Sequence, residues 1–181
     1  MNGTLHIYVF REGFLARLGH DLRLTLQSFE VTLHEDSVSA TFPIGAIRVD
    51  GAWKGDRVDA AAITPKDKDG IYTAITHDIF HDQPEVRLDG TLDATAMVLH
   101  ARITMNGRTV GLNLPLTRKP GVLMVDLEIT PSKWGIAQYK ALGGGLRLQD
   151  RWRIHLHLPW DYTLDKLRGA SERWGVEPTT A

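Results

Sequence analysis

The sequence predicts an all-β fold: an extended, eight-stranded antiparallel β-barrel carrying one or two short helices. Three observations predict it. Apolar residues recur with a period of two through most of the chain, turn residues interrupt those runs at short spacing, and one internal stretch shifts to helical spacing. A barrel is preferred to an open sandwich because closure removes exposed sheet edges. The 181 residues, 43% of them apolar and 24% charged, suit one soluble domain with a sizeable core. That domain is expected over residues 1–170, with a flexible C-terminal tail over 171–181.

The strands follow in order. Leu5, Ile7 and Val9 alternate with Thr4, His6 and Tyr8; Leu22, Leu24 and Leu26 alternate with Arg23 and Thr25; Val31 and Leu33 continue after Phe29. Val38, Ala40 and Phe42 form another strand, Pro43 marks a bend or edge, and Ile44 to Val49 resumes the extended pattern. Gly51, Gly55, Pro65 and Gly70, set among Asp and Lys, make residues 50–70 a connection that holds at most a brief strand or turn at Val58–Ile63. Ile71, Ala74, Ile75, Ile79 and Phe80 then recur at helical spacing, so a helix is expected over Gly70–Asp82, stopped by Pro84.

The two-residue period returns from Val86 through Leu88, Met97, Leu99, Ala101, Ile103 and Met105, from Val110 through Leu112, Leu114 and Leu116, and from Leu123 to Ile129. Asn106-Gly107 is a type I′ hairpin signal, and Asp89-Gly90 reads as a bulge or turn. Ile154, Leu156 and Leu158 close the series, before a short helix expected over Trp160–Arg168.

Charge and composition exclude several functions. With a net charge of −1 and scattered Lys and Arg, no stripe tracks a phosphate backbone, and nucleic acid is not expected as a partner. The absence of cysteine excludes disulfides, thiolate catalysis and thiolate metal sites. No apolar run approaches a membrane span. The opening residues lack a secretory signal, which points to the cytoplasm, or to a periplasmic or secreted location if the chain is a trimmed form. Oligomeric state is left open, a homodimer included.

Four local patterns, in order, resemble the YceI-like family of polyisoprenoid-binding proteins over about residues 4–160. They are Gly19-His20-Asp21 after a first strand and a short Phe14–Leu18 helical turn, Asp78-Ile79-Phe80-His81-Asp82 running into Pro84-Glu85-Val86, the Leu99–Val110 hairpin, and Ser132-Lys133-Trp134-Gly135-Ile136. The resemblance implies a lipocalin-like barrel that binds a long isoprenoid lipid or quinone-like tail without catalysis. Family members are commonly exported, whereas this chain shows no signal, and its Tyr8–Arg17 segment differs from the usual opening.

Other constellations favour structural readings. His77 and His81 stand four apart and His155 and His157 two apart, so each pair shares a face in a helix or strand, yet no third ligand is fixed by spacing. A metal-dependent enzyme built on His77 and His81 is the alternative, and a packed barrel acting as an interaction or stress protein is a third. Gly19-His20-Asp21 reads as a hydrogen-bonding turn anchor, because neighbouring strand residues face opposite ways. No serine lies in a nucleophile elbow. Gly143-Gly144-Gly145 lacks the following Lys-Ser or Lys-Thr of a phosphate loop, and reads as a flexible loop at the barrel mouth that could gate entry. No cofactor is expected. Ile7, Val9, Leu24, Phe80, Leu99, Ile103, Leu112 and Trp134 are the expected apolar lining, with His20, His81 or Arg108 orienting a head group.

Overall fold

The computed structural model describes residues 3–13, 19–159 and 171–175. Among these, the strands in chain order are β1 (Thr4–Glu12), β2 (Leu22–Leu26), β3 (Ser28–His34), β4 (Ser37–Pro43), β5 (Ile47–Trp53), β6 (Val58–Asp59) and β7 (Glu85–Asp93). They continue with β8 (Val98–Met105), β9 (Arg108–Pro115), β10 (Thr117–Lys119), β11 (Val122–Ile129), β12 (Lys140–Ala141), β13 (Leu146–Pro159) and β14 (Ser171–Gly175). One sheet runs β10-β11-β13-β1-β2-β5-β6, with β12 also on β13; the other runs β14-β3-β4-β7-β8-β9, and every pairing is antiparallel.

The fold is thus mostly β as expected, but the hydrogen bonding divides into two sheets and no closed eight-stranded barrel is found among the described residues. Three bends cause the division. Only Gln27 separates β2 from β3, a 3₁₀ turn at Ile44–Ala46 separates β4 from β5, and only Leu116 separates β9 from β10. At each bend the chain leaves one sheet for the other, as strands do at the corners of packed sheets. Pro43 stands at the second bend, where its fixed φ of −65° and missing N–H end the ladder. The extended run expected from Ile44 therefore begins only at Ile47.

The period-two pattern sets which faces meet. On β8, Leu99, Ala101, Ile103 and Met105 are buried while His100 and Arg102 are exposed; on β2, Leu22, Leu24 and Leu26 all point to the core. Each such large apolar side chain contributes about 1.5–3 kcal/mol on burial. Trp134 is 1% exposed and plugs the core, its Nε1 donating to the Ile103 carbonyl at 2.8 Å. Asn106 (φ 47°) and Gly107 (φ 72°) form the expected hairpin turn, with Met105 opposite Arg108. Gly90 lies in unbroken β7 pairing rather than in a bulge or turn, and a Cβ there would meet the His100 carbonyl oxygen at 2.6 Å.

The helix starts earlier than expected. α1 covers Pro65–Thr73, and Thr64-Pro65 begins it: the Thr64 hydroxyl caps the Asp67 N–H, and proline at the first turn sacrifices no helical hydrogen bond. A π-helical segment, Ala74–Ile79, follows, in which the Phe80 N–H reaches back to Ile75 O at 3.0 Å. The wider turn brings Ile75, Ile79 and Phe80 together into the core. Helical backbone ends at Phe80, ahead of Pro84, because His81 (φ 50°) and Asp82 (φ 58°) turn left-handed.

Ser171–Gly175, within the segment expected to be a loose tail, pairs with β3 as an edge strand. The helical expectations for Phe14–Leu18 and Trp160–Arg168 lie outside the described residues. No helix among the described residues is long and apolar enough to cross a membrane.

Candidate ligand-binding site

Where β1 ends and β2 and β13 begin, α1 and the π-helical segment lean over the sheet and leave a cavity of about 700 Å³. Its floor is apolar: Leu22, Ile63, Ile71, Ile75, Ile79 and Leu148. Its rim is charged and polar: Arg11 from β1, His20 before β2, Lys66 and Asp67 from the first turn of α1, Tyr139, and Arg147 from β13. Leu22, Ile71, Ile75, Ile79 and Leu148 also bound a cavity of about 60 Å³ farther in, lined by Ile7, Val9, Leu24, Phe80 and Trp152. The Phe80 and Trp152 rings lie 6.2 Å apart at its back. An apolar crevice of about 110 Å³, lined by Ala40, Leu99, Val125 and Leu156 among others, lies by the opposite end of β13.

The rim is tied down by short-range bonds. The Arg11 backbone N–H donates to Asp21 Oδ1 at 2.9 Å, and its guanidinium donates to the Gly19 carbonyl, so Gly19-His20-Asp21 anchors the turn as expected while His20 stays exposed. Arg147 Nε stands 3.9 Å from Glu12 Oε1, beyond hydrogen-bond reach, and is buried without a hydrogen-bond partner.

The expected site residues are therefore dispersed. Ile7, Val9, Leu24 and Phe80 come together in the inner cavity, His20 stands on the outer rim, and Leu99 lines the crevice. Ile103 and Trp134 are packed in the core and Leu112 is half-buried against it. Arg108 lies over Gly135, where an added Cβ would come within 2.8 Å of its guanidinium carbon. His81 is exposed in the left-handed turn. Neither of the last two lines a described cavity. Arg11, Lys66, Tyr139 and Arg147 are rim residues that sequence reasoning missed, since three distant segments supply them: β1, α1 and the stretch from Tyr139 into β13.

The histidine pairs do not form a site with the cavity. His77 Nδ1 contacts Asp82 on the surface, and the left-handed turn takes His81 off the helical face that spacing had assigned it. Among the described residues, no group of three or more His, Asp or Glu is placed to hold a metal ion. The most developed polar network lies instead on the outer face of the first sheet. Asp50, 8% exposed, accepts from Thr25 Oγ1 at 2.6 Å, Arg23 Nε at 2.7 Å and Arg48 Nη2 at 3.0 Å. Burial alone would raise the Asp50 carboxyl, but these hydrogen bonds outweigh it and hold it below the usual range. His6 Nδ1 lies 2.9 Å from Thr25 Oγ1; because Thr25 gives its own proton to Asp50, His6 is the donor here. Burial, then the Arg23 charge, pushes His6 down, and burial does the same to His155 on the neighbouring strand. The arrangement locks β1, β2 and β5 together.

No protein-family model matches the chain, and no curated protein matches it. Among solved structures, the crystal structure of Burkholderia cenocepacia BcnA is similar to it, with a TM-score of 0.50 and 12% sequence identity, covering 88% of this chain and 96% of that one. At that identity the likeness speaks to fold alone, and it supports the YceI-like fold that the four sequence patterns imply.

Proposed function

We propose that the protein binds and carries an apolar small molecule of the isoprenoid lipid or isoprenoid quinone type, without transforming it. The observation that carries this reading is the mouth cavity, whose apolar floor runs through shared residues into the inner cavity. Burial of a ligand chain there gains about 0.8 kcal/mol per CH₂. Counting β2 with β3, β4 with β5 and β9 with β10 as single bent strands, the pairings lead from β1 through β7, β8, β11 and β13 back to β1. This reading treats the two sheets as one barrel-like shell. Most of the free volume in the described cavities lies at the mouth, so most of a chain's length is held there.

Organic extraction and native mass spectrometry of the purified protein are expected to reveal a bound isoprenoid. Protein that carries none, and takes up none when offered farnesol or a short-tailed ubiquinone, would overturn the reading. The small inner volumes favour, as a second reading, a packed barrel that acts through its surface, and the same empty result would support it.

A further inference from the structure

The rim of the mouth cavity carries Arg11, Lys66 and Arg147 around an apolar floor, and from this we infer that it accepts a monoanionic amphiphile, a carboxylate on an apolar tail, bound with its head between Lys66 and Arg147. The inference rests on the reading of this cavity as a ligand site and goes on to name the head group.

The charges around the rim set the head group's charge. Arg11 is engaged by the Gly19 carbonyl, with Asp21 Oδ1 3.9 Å from its Nε. Arg147 has Glu12 nearby at 3.9 Å, but Glu12 Oε1 also accepts from Gln138 Nε2, and Arg147 Nε keeps an unfilled donor. Lys66 is exposed and has no carboxylate partner among the described residues. Asp67 stands beside it on the rim, accepting from the Thr64 hydroxyl at 2.7 Å.

Three cations against Asp67, Asp21 and Glu12 leave the rim near neutrality. One negative charge finds the Lys66 ammonium and the partly exposed Arg147 guanidinium; a diphosphate would bring further charges toward Asp67 and Glu12 with no cation left to meet them. A neutral alcohol head offers an acceptor but no charge, and forgoes the stronger charge-assisted bond. Behind the head, Leu22, Ile71, Ile75 and Leu148 supply the surface for the tail.

Calorimetric titration of the full chain with dodecanoate, dodecan-1-ol, farnesyl diphosphate and acetate tests this. Dodecanoate is expected to bind about tenfold tighter than dodecan-1-ol, the worth of one charge-assisted hydrogen bond. It should also bind more tightly than farnesyl diphosphate, with no detectable binding of acetate. Lys66→Gln and Arg147→Gln should each reduce the preference for dodecanoate over dodecan-1-ol. Lys66 is exposed, so its variant keeps the test independent of folding. Equal affinity for dodecanoate and dodecan-1-ol overturns the head-group assignment while leaving the apolar site standing. Tightest binding of farnesyl diphosphate overturns the single charge, and no binding of any of the tailed probes overturns the site itself.

Discussion

The two ends of β13 border cavities built from similar alternating apolar rows, yet one measures about 700 Å³ and the other about 110 Å³. At the Leu146 end, α1 and the π-helical segment stand over the sheet and bring Lys66 and Asp67 beside Arg11 and Arg147. At the Pro159 end, side chains of both sheets meet directly, and all those that line the crevice are apolar. Strand alternation alone thus produces packing, and the inserted helix with its charged first turn is what makes a mouth. On the proposed reading the Leu146 end binds and the rest of the molecule supplies stability, and variants can break either half.

The largest effect is expected at Trp134. If solid packing fills the core that it plugs, Trp134→Ala leaves a cavity and should cost about 3–5 kcal/mol in urea unfolding. Trp134→Phe keeps most of the volume but deprives the Ile103 carbonyl of its donor, at about 1–3 kcal/mol. A near wild-type midpoint for Trp134→Ala would mean that this core is loose and the contrast between open mouth and packed remainder is false.

Next comes the network on the outside of the first sheet. Asp50→Asn removes the charge that Arg23 and Arg48 share and should cost about 2–3 kcal/mol at neutral pH. Its pH signature has a definite sign. The folded-state values of His6, His155 and Asp50 all lie below their ordinary ones, so the unfolded chain binds more protons than the folded one as pH falls. The histidine contributions are fully present above 6.5 and decline as pH drops below it; the Asp50 contribution declines only below 3.8. Thermal melts from pH 8 to 3 should therefore show Tm falling in two stages, the second weakened in Asp50→Asn. A Tm that rises on acidification through 6.5 contradicts this.

The sheets were legible because alternation and pleat have the same period, so Leu99, Ala101, Ile103 and Met105 could be placed on one face from sequence, although only the fold shows that this face is the inner one. The bends at Gln27 and Leu116 were not legible: neither residue breaks a strand by itself, and only packing shows that the chain changes sheets there. The helix was recognised by Ile71, Ile75 and Ile79 but not its start at Thr64-Pro65, since the Gly and Asp content of residues 50–70 masked the cap. Of the site, the inner wall of Ile7, Val9, Leu24 and Phe80 followed from the alternating rows and the helical spacing. The cationic rim did not, because charge converges there from β1, α1 and β13 only after folding.

The smallest effect sharpens the comparison most directly. Ala40, in the crevice, and Ala74, in the mouth, can each be replaced by leucine. Ala40→Leu puts methylenes into an apolar void, gaining burial against some crowding, so stability should change by no more than about 1 kcal/mol. Ligand uptake should be unaltered. Ala74→Leu should leave the melting temperature close to that of the parent chain but weaken dodecanoate binding several-fold, because the added side chain takes volume that the ligand tail needs. Both variants are read by the same calorimetric titration and the same melt. Loss of binding in Ala40→Leu would show that the ligand passes through the interior into the crevice, and the two ends would then be one site rather than two differently closed ones.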